Sequence, residues 1–100
     1  MSDKNWKRAE RTIAKLLGGI RNPVNGRGDE PDISHPKYSI EVKNRALPQW
    51  INHGFDQAVF TGGGDKIPIV VIHEPDSRFD SCRVLIKLKD FLELTCEEEN

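Results

Sequence analysis

A chain of 100 residues, 36% hydrophobic and 31% charged with a net charge of −1, has the size and balance of one compact domain, expected over 1–100. No apolar run approaches the roughly 20 residues of a membrane span, and Met1-Ser2-Asp3-Lys4-Asn5 leads into a charged pattern without an apolar signal core, so a cytoplasmic protein with no membrane partner is expected. Cys82 and Cys96 have neither metal-finger spacing nor the density of a disulfide scaffold.

From Asp3 to Leu17 the residues Trp6, Ala9, Ile13, Leu16 and Leu17 recur at helical spacing, and Gly18-Gly19 ends the pattern. Ile20 to Asn22 reads as a short strand. Pro23 to Glu30, with Gly26 and Gly28, reads as a loop. Pro31–Ser34 and Tyr38–Lys43 alternate apolar and polar residues around His35-Pro36-Lys37 and predict a hairpin. Pro48 suits the first turn of a second helix that carries Trp50, Ile51, Gly54, Phe55, Ala58 and Val59 and ends at Gly62-Gly63-Gly64. Ile67–Ile72 has the continuous apolar character of a buried strand. Strand, helix and strand in that order predict a right-handed parallel crossover from Tyr38–Lys43 to Ile67–Ile72. Arg83–Lys87 predicts a further strand and Asp90–Leu94 a short helix, followed by the acidic 97–100 tail, a frayed end. The class is α/β, with a mixed central β-sheet flanked by helices.

Two features of this pattern carry chemistry. At about 100° per residue, Glu10 falls about 40° from Trp6, within the apolar stripe of the first helix. An acid there needs compensation, because a buried unpaired charge costs several kcal/mol. Either an arginine pairs with it at the stripe's edge or it turns inward as a ligand. The second feature is the hairpin. Proline's fixed φ disfavours a two-residue type I′ turn at Pro36-Lys37 and suits a four-residue loop, His35–Tyr38, around a type I turn.

Both loops give the same register: Ile33 faces Ile40, and Asp32 faces Glu41 with Cβ atoms about 5 Å apart. Lys43, two residues on, projects from the face of the acids. Facing carboxylates repel unless a cation lies between them, and Mg²⁺, which takes hard oxygen ligands and keeps several waters, matches them best. The plainer alternative is a cross-strand Asp–Lys–Glu network on an exposed sheet face. The histidines His35, His53 and His73 are too scattered for a zinc pattern, and Gly62-Gly63-Gly64-Asp65-Lys66 lacks phosphate-loop spacing.

Pro31-Asp32 followed by Glu41-Val42-Lys43 matches the PD-(D/E)XK pattern, and with Ala9-Glu10, Gly18 to Arg21 and Gln57 the chain resembles the archaeal-type Holliday junction resolvases and their phage relatives, over roughly residues 4–72. The resemblance implies a restriction-endonuclease-like core. It also implies a Mg²⁺ site, with Mn²⁺ as substitute, on Glu10, Asp32 and Glu41, completed by Lys43. Gln57, and Asn25 in place of a loop serine, become accessory candidates, and no organic cofactor is implied. Asp29 and Glu30 depart from the pattern and add acids beside the site.

Such enzymes are homodimers that set two sites on a four-way DNA junction and nick opposed strands symmetrically, leaving 5′-phosphate ends. Residues 1–50 hold 10 Lys/Arg against 6 Asp/Glu, and residues 51–100 hold 5 against 10, so a basic DNA face would lie in the first half. Arg21, Arg27, Lys37 and Arg45 flank the acids in sequence and are the phosphate-clamp candidates. Two alternatives stand beside the resolvase expectation. One is another small nuclease of this fold, acting on flaps or forks. The other is a DNA-binding subunit that does not cut.

Overall fold

The structure, a computed structural model, describes residues 2–22 and 30–96, with side chains from Asn5 onward. The described residues are mixed α/β, with three α-helices and two small antiparallel sheets among them. The chain divides into two compact units, Met1–Ala46 and Leu47–Asn100.

In the first unit, helix α1 (Ser2–Leu17) leads into a three-stranded antiparallel sheet of β1 (Ile20–Arg21), β2 (Ile33–Ser34) and β3 (Ser39–Ile40), in that order. The helix stops where expected. Gly18 adopts φ +73°, its N–H bonds to the Lys15 carbonyl, and the Gly19 N–H reaches back to the Ala14 carbonyl at 2.9 Å. This paired closure needs a left-handed residue, and glycine adopts it without strain. Gly19 then passes so close to β2 that a Cβ there would stand 2.6 Å from Ile33 Cγ2. That approach lays β1 beside β2, with Ile20 opposite Ser34 and Arg21 opposite Ile33. Ala14 and Ile33 form the buried apolar centre of this unit.

The hairpin has the expected register, Ile33 opposite Ile40 and Ser34 opposite Ser39, and so a four-residue connection from His35 to Tyr38. The His35 and Tyr38 rings stack at 4.9 Å, and His35 Nδ1 accepts the Lys37 N–H at 3.0 Å. The strands are shorter than the alternation predicts. Pro31 has no N–H to extend the ladder, and the Val42 N–H goes to the Asp32 side chain instead of to a strand. Most of the expected 23–30 loop lies outside the described residues.

In the second unit, helix α2 (Gln49–Gly62) starts after Pro48, whose carbonyl accepts the Ile51 and Asn52 N–H groups, and ends at Gly63 with φ +69°. Its packed side holds Ile51, Gly54, Phe55 and Ala58, with Gly54 set against Val70. Trp50 and Val59, expected on that side, are exposed. Strands β4 (Ile69–Ile72) and β5 (Arg83–Ile86) pair antiparallel, Ile69 opposite Ile86 and Ile72 opposite Arg83, joined through a 3₁₀ turn at Phe79–Ser81. Helix α3 (Leu88–Thr95) follows.

The parallel crossover is therefore a correction: β3 ladders with β2, β4 with β5, and every described ladder is antiparallel. The apolar run that suggested a strand buried on both faces instead alternates. Ile69 and Val71 are exposed, while Val70 and Ile72 are half-buried. A partner reached through a ten-residue connection is nearer in the chain than one across a helix, and local pairing costs less loop entropy.

Candidate active site

Asp32, Glu41 and Lys43 follow one another at the open end of the hairpin, just beyond the paired residues Ile33 and Ile40. The Asp32 carbonyl accepts the Asn22 N–H at 2.9 Å, extending the β1–β2 pairing by one residue. The observed β2–β3 register ends at Ile33 and Ile40; continued by one step it would set Asp32 and Glu41 as a pair without exchanged hydrogen bonds, the kind in which side chains come closest. Two side chains close the frayed end. Asp32 Oδ2 accepts the Val42 N–H at 2.8 Å, and the Asn22 amide donates to the Pro31 carbonyl at 2.9 Å and to Ser34 Oγ at 2.8 Å. Asp32 is half-buried, Glu41 and Lys43 are exposed, and the chain from Glu41 to Pro48 runs outside any strand. The alternation that would aim Lys43 with the acids is thus not enforced by a ladder.

Glu10 is engaged by a residue of β1. It is 6% exposed, and its Oε1 accepts from Arg21 Nε at 2.7 Å. The Gly18-Gly19 turn folds β1 back along α1, which brings the arginine to the acid. Arg21, expected on phosphate, is thereby an ion-pair partner inside the unit. Among the described residues no three His, Cys, Asp or Glu side chains form a group able to hold a metal ion.

Asp32 and Glu41 remain, a hard-oxygen pair of the kind Mg²⁺ accepts when waters and a substrate phosphate complete its shell. Asp32 suits that use, since one oxygen is fixed by Val42 while Oδ1 takes no hydrogen bond among the described residues.

The other candidates are dispersed. Lys37 and Arg45 are exposed, Lys37 in the hairpin turn. Gln57 is exposed on α2 in the second unit, where its backbone carbonyl accepts the Thr61 hydroxyl at 2.9 Å. Asn25, Arg27 and Asp29 lie outside the described residues.

Sequence reasoning missed Asn22, which holds the base of the loop by three hydrogen bonds. The signal the sequence offers is only its place between an expected strand and a proline. A residue opposite Asp32 at the end of β1, beside a proline that cannot donate, is where a side-chain amide substitutes for a ladder bond. Set against family models, curated proteins and solved structures, the chain finds no significant match.

Proposed function

We propose that this chain is a Mg²⁺-dependent, structure-selective DNA endonuclease of restriction-endonuclease-like core, resolving four-way junctions as a homodimer. The observation that carries the reading is the hairpin register, Ile33 opposite Ile40, which, carried one residue further, would put Asp32 across from Glu41, two residues before Lys43. Bound between the two acids, the metal would supply Lewis acidity and an activated water for phosphodiester hydrolysis. The chain's own residues do the rest. Val42 fixes one oxygen of Asp32, Asn22 holds the strand that carries it, and Lys43 offers an ammonium to the charge of the phosphate. Paired cuts need two sites within one complex, hence the C₂ homodimer.

The test is cleavage of labelled four-way junction, flap, fork and linear duplex, with and without Mg²⁺, beside sedimentation of the protein alone and on the junction. Symmetric nicks in the junction by a dimer support the reading. A monomer under both conditions removes the resolvase assignment and leaves a simpler nuclease, whose flap or fork preference the same panel reports. The Glu10–Arg21 pair favours a second reading, a DNA-binding subunit that does not cut, because it commits one of the three expected ligands to structure. Junction binding without products in either Mg²⁺ or Mn²⁺ would decide for it.

A further inference from the structure

The face of α1 turned from the sheet has a composition unlike the rest of the molecule. At about 100° per residue, Lys7, Arg11, Lys15 and Arg8 fall in that order within an arc of about 100°, and no other residue from Asn5 to Leu17 falls in it. All four are exposed, and no ion pair with an acid is found for any of them among the described residues. Lys7 lies at the edge of the arc, its Nζ 5.7 Å from the centre of the Trp6 ring. The one acid between Asn5 and Leu17 is Glu10, and it is turned inward onto Arg21. The stripe is therefore four positive charges with no internal compensation.

We infer that this stripe is a DNA-backbone contact, gripping the phosphates of a duplex arm at a distance along the chain from Asp32 and Glu41. Charge complementarity selects the partner. Arg8 to Lys15 spans about 10 Å of helix axis, and a duplex carries a phosphate every 3.4 Å or so along each strand, so the stripe meets about three phosphates of one strand. A protein partner would need an apolar anchor at the centre of its contact, and this arc has none. An amphipathic helix lying on a membrane buries its apolar side in lipid. Here that side is spent inside the unit, with Ala14 5% exposed and Trp6, Ile13 and Leu17 half-buried. Backbone contacts of this kind hold DNA and set its path without reading sequence. The inference rests on DNA as the ligand and is independent of cleavage.

The test is fluorescence anisotropy of labelled duplex and four-way junction, in EDTA to prevent cutting, over a range of KCl concentrations. Arg8→Gln/Arg11→Gln/Lys15→Gln keeps good helix formers at exposed positions, and its fold is checked by circular dichroism. It should bind at least about tenfold more weakly at 100 mM salt and lower the slope of log K against log salt by about 2.7. Arg8→Lys/Arg11→Lys should keep the wild-type slope, since charge and not shape does the gripping. Lys66→Gln/Lys89→Gln, exposed cations of the second unit, should leave it unchanged.

A triple variant with wild-type affinity and slope overturns the inference while leaving the nuclease reading intact. Triple-variant loss matched by the Lys66/Lys89 variant also overturns it, because net charge alone would then explain binding. Wild-type protein that ignores DNA but binds phosphatidylserine vesicles through the same residues replaces DNA with a membrane. Protein that neither binds nor cuts DNA overturns both readings together.

Discussion

Arg21 Nε stands 2.7 Å from Glu10 Oε1, so an acid on the apolar side of α1 is balanced by a cation from the strand that follows it. Without that partner, replacing Glu10 would stabilise the fold. With it, Glu10→Ala leaves a guanidinium half-buried and unpaired, and is expected to cost about 2 kcal/mol in urea unfolding, below the full buried-pair range because Arg21 keeps some solvent contact. Arg21→Gln strands the more deeply buried partner and should cost more. The double variant should lose less than the two singles combined. Additive losses would show that the pair contributes nothing as a pair.

Asp32→Asn and Glu41→Gln are each expected to reduce junction cleavage by orders of magnitude while junction binding persists or tightens, since less negative charge then faces the phosphate. Wild-type rates in either would remove the proposed centre. The Asp32 hydrogen bond adds a second arm. In Asp32→Asn the new amide oxygen can still accept the Val42 N–H, so this variant should melt like wild type. Asp32→Ala should lose about 1 kcal/mol. EDTA should abolish cleavage, and Mg²⁺ or Mn²⁺ should restore it.

Asn22→Ala removes the donor to both Pro31 and Ser34. The expected result is faster amide exchange at Val42 and Asn22 with a loss of about 1–2 kcal/mol, while amides of β4 and β5 keep their protection. Unchanged exchange at Val42 would mean that the hairpin end is held by other means.

Gly19→Ala places a methyl group against Ile33 and the Ser34 carbonyl, within 2.7 Å of that oxygen. Overpacking of this kind costs about 1–3 kcal/mol. Gly18→Ala meets open space and carries only the left-handed backbone penalty, about 1 kcal/mol. A thermal melt in which Gly18→Ala is the worse of the two would contradict the close approach of β1 to β2.

These elements were unequally legible in the sequence. Helix α1 and its stop could be read from periodicity and a glycine pair, both local signals. The hairpin register could be read as well, because proline chemistry and the Ile33/Ile40 alternation agree on one answer. The length of β3 could not, since it depends on which acceptor the Val42 N–H chooses, a side chain or a strand. The partner of Glu10 was legible as a need and not as a residue: the stripe demanded a cation, while Arg21 looked like one of several surface arginines. The partner of Ile67–Ile72 was misread because an apolar run looks the same beside a parallel neighbour as in a ribbon with one face open.

The four-residue connection from His35 to Tyr38 sets a phase as well as a turn. One residue inserted there that slid the pairing by a single step would send Asp32 and Glu41 to opposite faces of the ribbon, with the hydrophobic pattern inverted beside them. Two inserted residues that lengthen the loop alone would leave both acids on one face. Tolerance to insertion at this tip should therefore depend on whether the register slips: a slip of one step abolishes any chemistry that needs both carboxylates, while residues taken up by the loop alone spare it.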